Sequence, residues 1–114
     1  MPLFLTQVAY NENGWQAMVN NPQNRLDALR PVYDKLGGRI VNAYFAFGEY
    51  DFVVISEFKE STSAAALAIA AAAGGAVKSI KTTPLMDASE GAEAVRKAAT
   101  CGYRAPSGMR SATA

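Results

Sequence analysis

The fold of this chain is decided by residues 39–58, which read RIVNAYFAFGEYDFVVISEF. Apolar side chains recur at alternate positions on either side of Gly48-Glu49, and this period is that of β-strands. The segment is therefore predicted to form two strands, Arg39–Phe47 and Tyr50–Phe58. A glycine in the first position of a two-residue loop is typical of a type II′ turn, so we expect a tight hairpin at Gly48.

The predicted hairpin register divides its side chains between two faces of a sheet. Phe45 lies opposite Phe52 on one face, and Ala43 lies opposite Val54 on the same face. The other face, which we expect to meet the helices, carries Asn42, Tyr44, Asp51, Val53 and Ile55. The second strand is apolar on both faces, whereas a small sheet with one face in water alternates cleanly. The sequence therefore predicts that a second copy covers one face, in a homodimer or a larger oligomer.

The segments before the hairpin alternate between strand and helix patterns. The pattern predicts a strand Leu3–Tyr10, a turn Asn11–Gly14, a short helical turn Trp15–Val19 and a helix with the apolar stripe Leu26, Leu29, Tyr33 and Leu36. Gly37-Gly38 is a stop signal for that helix. Pro31 lies inside the helix and is expected to kink it, because proline has no backbone N–H to donate.

The segments after the hairpin complete an α+β, ferredoxin-like βαββαβ order with a four-stranded antiparallel sheet. They are a helix Ala64–Ala73 capped by Ser61 or Thr62 and ended by Gly74-Gly75, an edge strand Ala76–Leu85, and a helix Asp87–Thr100 capped at Asp87 or Ser89. Lysines in the strand discourage pairing at a sheet edge. We expect a domain at residues 1–86, a C-terminal helix at 87–100 and a flexible tail at 101–114.

Composition excludes several classes of function. The 114 residues have a net charge of +1, no histidine and a single cysteine, Cys101. With so balanced a charge, the sequence has no excess of basic residues that would attract nucleic acid or an anionic membrane. Without histidine the chain has no imidazole base, and we expect no metal site and no cofactor. The apolar tract Ala64–Ala76 is too short to cross a bilayer. We expect a cytoplasmic protein.

Two motifs resemble those of the GYD-domain family, which is named for a glycine-tyrosine-aspartate signature. They are Leu36-Gly37-Gly38 and, between the two strands, Gly48-Glu49-Tyr50-Asp51. Arg25-Leu26-Asp27-Ala28 and Tyr103-Arg104-Ala105-Pro106 are also similar to family members. The resemblance covers roughly residues 3–100 and implies a dimeric α+β barrel, in which two four-stranded sheets pack face to face. It implies an architecture rather than an activity.

Six residues are candidates for a functional site. Asn42, Tyr44 and Asp51 form the candidate catalytic set, since a buried amide and phenol need partners and a half-buried carboxylate can act as a base. The candidate ligand-binding residues are Tyr50, Trp15 and Arg39. Each has a structural alternative: Asp51 can accept backbone hydrogen bonds in the turn, Trp15 can fill the core, and Arg39 can lie solvated at a strand end.

Three functions remain open at this stage. The first is a regulatory or binding module without catalysis, with a small, mostly apolar pocket between sheet and helices for an apolar or aromatic ligand. The second, which the barrel architecture implies, is a cofactor-independent monooxygenase or isomerase that uses Asn42, Tyr44 and Asp51. The third is a purely structural assembly protein. An enclosed pocket of a few hundred cubic ångströms where the three side chains converge would favour the enzyme.

Overall fold

A computed structural model describes residues 1–107 of the chain. The elements in that range are β1 (Leu3–Tyr10), α1 (Glu12–Asn20), α2 (Arg25–Lys35), β2 (Gly38–Phe45), β3 (Phe52–Phe58), α3 (Ser61–Ala73), β4 (Val77–Leu85) and α4 (Ala88–Ala99). The tail expected at residues 101–114 lies partly outside the described residues.

The four strands form one sheet in the order β2-β3-β1-β4, and every neighbouring pair is antiparallel. This order confirms the α+β, ferredoxin-like fold, because β1 and β3 are inner strands while β2 and β4 are edges. The edge position of β4 also confirms the prediction made from its lysines. The described residues depart from the simple βαββαβ order in two places: two helices, α1 and α2, connect β1 to β2, and helix α4 follows β4.

The hairpin register is as predicted from Asn42 to Phe45 only: it shifts by one residue between Ile40 and Asn42, and the predicted turn is not formed. Ala43 pairs with Val54 and Phe45 with Phe52. The strands then end, and residues 46–51 form a wider loop that is closed by a 2.9 Å hydrogen bond from Ala46 N–H to the carbonyl of Asp51. Gly48 does not have a positive φ, so the type II′ turn is wrong. The cause is Asp51, whose backbone N–H donates to the carbonyl of Val8 in β1, 2.8 Å away, instead of extending the hairpin.

The core lies between one face of the sheet and helices α2 and α3. Its buried residues are Phe4, Val8, Tyr33, Phe52, Val54, Phe58, Ala64 and Leu67. The Tyr33 ring stacks on Phe58 at a centroid distance of 5.2 Å, and its hydroxyl lies 3.3 Å from the buried hydroxyl of Ser56. Helix α2 continues through Pro31 rather than ending there.

Two helix starts differ from the sequence prediction. Residues 11–14 open α1, since the Asn11 side chain accepts from the N–H of Gly14 at 2.9 Å and caps the helix. Helix α3 begins at Ser61 with Glu60 in the cap position and no side-chain cap, so Ser61 or Thr62 as the cap is wrong. The Thr62 hydroxyl instead donates to the Glu60 carboxylate at 3.2 Å.

Helix α4 stands away from the sheet. Asp87 caps it as predicted, in a reciprocal capping box with Glu90, and none of its residues is buried. Apolar positions fall on one side of the helix: Ala88, Gly91, Ala92, Val95, Ala98 and Ala99. We call these residues the α4 stripe. Within residues 1–107, neither α4 nor any other helix has the length and apolar character needed to span a membrane.

Candidate functional site

Asn42 and Tyr44 lie on the sheet face that points away from α2 and α3. Tyr44 pairs with Val53 and Asn42 with Ile55, whereas the buried side chain of Val54 points to the helices. The expectation that Asn42 and Tyr44 face the helices is therefore wrong. Tyr44 is 58% exposed, so the described residues do not enclose its phenol.

This outward face of the sheet carries a contiguous cluster of apolar side chains. We call it the open face. Its apolar residues are Leu3, Leu5, Val53, Ile55 and Leu85, and they lie beside Gln7, Thr83 and Lys81, which are polar and face the same way. Each of the five apolar residues is only half-buried, and no helix of the described residues packs over them. Contiguous exposed apolar surface on a small protein typically marks an interaction site. The prediction that the helices leave one apolar face open is thus in agreement with the structure.

Arg39 lies at the β2 edge of the open face and already has a carboxylate partner. Its guanidinium is 2.7 Å from the carboxylate of Glu57 on β3, the residue that pairs with it across the two strands. Ion pairs that are this exposed contribute little to stability, and Arg39 keeps donors for other groups. The pair forms a polar rim beside the apolar cluster of the open face.

Asp51 and Tyr50 belong to the loop between β2 and β3. One carboxylate oxygen of Asp51 accepts a 3.0 Å hydrogen bond from the backbone N–H of Tyr10, the last residue of β1. This bond supports the structural alternative for Asp51, which ties the loop to the end of β1. Tyr50 is half-buried beside it. None of Asn42, Tyr44 and Asp51 lines the interior cavity described next.

A cavity of about 70 Å³ lies between the sheet and helices α2 and α3. Its walls are mostly apolar and are formed by Val8, Leu29, Phe52, Val54, Leu67, Ala71 and Ile80. Its polar lining residues are Thr6, Tyr10, Arg25 and Tyr33. Tyr10 ends β1 and Arg25 begins α2, so we place the cavity mouth at these two residues. Neither Tyr10 nor Arg25 was among the candidate residues chosen from the sequence, although Arg25 lies in a motif that is similar to one of the family.

The phenol of Tyr10 is close to two opposite charges. Burial raises the pKa of Tyr10; the nearby Arg25 guanidinium lowers this pKa in part, and the Asp51 carboxylate raises it further. Tyr10 is therefore protonated at neutral pH and can donate a hydrogen bond from its hydroxyl. Arg25 and Tyr10 together provide a cation and a neutral donor at the mouth of an apolar cavity.

Trp15 lies next to this mouth on helix α1. Its indole meets the ring of Tyr10 edge-to-face, with centroids 5.3 Å apart and planes at 73°. The side chain is 41% exposed and borders an open groove that also includes Lys78. Trp15 therefore packs on one side and faces solvent on the other.

A profile of the GYD domain matches residues 4–95 of the chain. The chain belongs to the GYD-domain family. The matched range runs from β1 into α4, so the resemblance seen in the hairpin motif extends over the whole sheet. The GYD motif itself falls in the loop where Asp51 is bonded to Tyr10 of β1.

This GYD protein is similar to a Thermus thermophilus protein named "Glutamine synthetase and cystathionine beta-lyase binding protein". The two are 27% identical over 89 residues, which is 76% of this chain and 94% of the relative. Among solved structures it is similar to the crystal structure of FFRP-DM1, with a TM-score of 0.52 and 14% identity over 75% of this chain and 100% of that one. At this identity the structural likeness concerns the fold alone.

Proposed function

We propose that this GYD protein is a small homodimeric regulatory module that binds an enzyme and has no catalytic activity of its own. The observation that carries the proposal is the open face, whose half-buried apolar cluster is left uncovered by the helices of the described chain. Burial of such surface is the main driving force for association. A second copy, packed sheet against sheet, provides the apolar surface that this face lacks.

The size of the open face fits such an interface. Four strands about 4.8 Å apart and eight residues long, at a rise of about 3.3 Å, span roughly 20 by 26 Å. The area of this rectangle approaches the ~600 Å² that each partner buries in the smallest specific protein–protein interfaces. Helix α4 follows directly from β4 at the edge of the face, so its apolar stripe extends the surface that a partner can cover.

The enzyme partner is supported by the named relative rather than by the cavity. The Thermus thermophilus protein aligns over nearly its whole length and is named for binding glutamine synthetase and cystathionine β-lyase. We extend enzyme binding to the present chain on that basis. The oxygenase alternative requires Asn42, Tyr44 and Asp51 to converge in an enclosed pocket, and none of the three lines the interior cavity.

Light scattering tests the dimer directly. The wild-type chain is expected to show twice its 12.1 kDa mass at micromolar concentration. Ile55→Lys places an ammonium at the centre of the open face, and two such groups buried against each other would have no counter-ion. This variant is expected to be a folded monomer by light scattering and circular dichroism. The matched control is Ala72→Lys on the exposed side of α3, which should remain a dimer.

Enzyme binding is measured with the glutamine synthetase and the cystathionine β-lyase of the same organism, immobilised in turn. We expect micromolar binding of the wild-type chain to at least one of them. A wild-type chain that stays at single-chain mass, or an Ile55→Lys variant that is as dimeric as Ala72→Lys, contradicts the dimer. Absence of binding to both enzymes contradicts the enzyme-docking role.

A further inference from the structure

We infer that the cavity between the sheet and helices α2 and α3 binds a short-chain carboxylic acid. The alkyl tail occupies the apolar interior, and the carboxylate lies at the mouth beside the Arg25 guanidinium and the Tyr10 hydroxyl. This site would give the proposed regulatory module its ligand, and the regulatory role of the ligand rests on the proposed function. The site is on the opposite side of the sheet from the open face, so the two can be tested separately.

The cavity volume limits the length of the tail. At about 70 Å³ the space is roughly half of the ~150 Å³ apolar cavity that holds a benzene molecule. A tail of about three or four carbon atoms therefore fits, whereas a long fatty chain does not. The walls suit such a tail because aliphatic and aromatic side chains from the sheet and from both helices enclose it, among them Val54, Leu29 and Leu67.

The charges at the mouth favour an anionic head group. Within residues 1–107, Arg25 has no carboxylate within ion-pair distance; its guanidinium donates to the amide oxygen of Gln23 at 3.0 Å. A guanidinium has five N–H donors in a fork that matches a carboxylate, so most of its capacity is free. The Asp51 carboxylate near Tyr10 already accepts the Tyr10 backbone N–H.

Tyr10 adds a neutral donor to this cation. Burial raises the pKa of its phenol, which keeps the proton in place at neutral pH. A carboxylate at the mouth can accept from the phenol and from the guanidinium together, and hydrogen bonds to ionised groups are the stronger kind. A neutral ligand with the same tail would gain only the apolar contacts.

Valerate is the probe, and the fluorescence of Trp15 is the signal. Trp15 is the only tryptophan and its ring contacts Tyr10 at the mouth, so a ligand there changes its surroundings. We expect saturable binding of valerate to the wild-type chain. Pentanol, with the same tail length and no charge, and acetate, with the charge and almost no tail, should each bind at least about 10-fold more weakly.

Two pairs of variants assign the binding to the two parts of the site. Arg25→Gln is expected to weaken valerate binding at least about 10-fold and to leave pentanol binding unchanged. Its control is Arg30→Gln, which changes an exposed arginine on the same helix and should bind both probes like wild type. Ala71→Leu fills the cavity and should abolish binding of both probes. Ala72→Leu, on the exposed side of α3, should not.

The inference is overturned if millimolar valerate leaves the fluorescence unchanged, or if each variant binds like its control while circular dichroism shows all of them folded. It is also overturned if octanoate binds more tightly than valerate, since a long tail does not fit the cavity. Ile55→Lys separates the two proposals. If the wild-type chain is a dimer, Ile55→Lys is a monomer and neither protein binds valerate, the ligand-site proposal is refuted. The dimer proposal is then still supported.

Discussion

At the scale of single residues, Asp51 does a structural task that the sequence motif does not reveal. Its carboxylate accepts the Tyr10 N–H at the end of β1, and its own N–H donates to Val8 in the same strand. Asp51 therefore ties the start of β3 to the end of the neighbouring strand β1. Asp51 had a structural and a catalytic interpretation, and the geometry favours the structural one because its carboxylate and its backbone N–H are both bonded to β1.

Asp51→Ala is expected to lower the free energy of unfolding by about 1–3 kcal/mol, since the Tyr10 N–H loses a charged acceptor in a partly buried position. Urea unfolding followed by circular dichroism measures the change. Asp51→Asn keeps an oxygen acceptor and should lose less than half as much. Glu49→Ala, an exposed change in the same loop, should stay within about 0.5 kcal/mol of wild type. Equal stability of Asp51→Ala and Glu49→Ala would refute the role given to Asp51.

At the scale of elements, the sequence predicted the strands, the hairpin register from Asn42 to Phe45 and the capped start of α4, because alternation and capping residues are local signals. It could not decide which face of the hairpin meets the helices. Both faces of β3 are apolar, so a period of two places Asn42 and Tyr44 on one face without saying which face that is. The prediction of a type II′ turn was wrong for a related reason. Gly48-Glu49 is a good local signal for that turn, but Asp51 is hydrogen-bonded to β1, which is distant in sequence.

Helix α4 is the element that residues 1–107 cover least. It has 12 residues and no buried side chain, and an isolated helix of this length is marginal in water. Under the proposed dimer, Val95→Asp in the α4 stripe should raise the dimer dissociation constant about 10-fold, which is about 1.4 kcal/mol. Ala94→Asp, on the polar side of the same helix, should have little effect. Sedimentation measures both, and equal dissociation constants would remove α4 from the interface.

At the scale of the whole molecule, function depends on pieces that come from distant parts of the chain. The cavity takes walls from β1, β3, β4, α2 and α3, and its mouth joins Tyr10 to Arg25. Sequence reasoning selected polar residues within single segments and so did not find this pair. The same is true of Tyr33 and Ser56, two groups 23 residues apart whose hydroxyls meet in the core.

That buried pair makes the stability of the whole fold depend on alkaline pH. Burial raises the pKa of Tyr33 above its usual value of 10.0, and the side chain is only 2% exposed. The unfolded chain loses the phenol proton first, so stability is full below pH 10.0 and falls as the pH rises towards the folded pKa, by at most about 1.4 kcal/mol per unit.

Tyr33→Phe removes this titration and leaves the Ser56 hydroxyl without a partner. The variant is expected to be about 1 kcal/mol less stable than wild type at neutral pH, with the gap closing above pH 10.0. Urea unfolding at several pH values measures the gap. Tyr103→Phe is the control, because that ring is 78% exposed in the folded chain. A gap that stays constant with pH would contradict the shift.

The sheet order has a consequence for how the chain is made. Its first strand is an inner one, and Leu3 pairs with Glu57 on one side and with Leu85 on the other. During synthesis β1 has neither of its partner strands until β3 is translated, and one of its edges stays unpaired until β4 leaves the ribosome. Bare strand edges readily pair with other chains. Until β4 is made, one edge of β1 is therefore open to pairing with another copy of the chain.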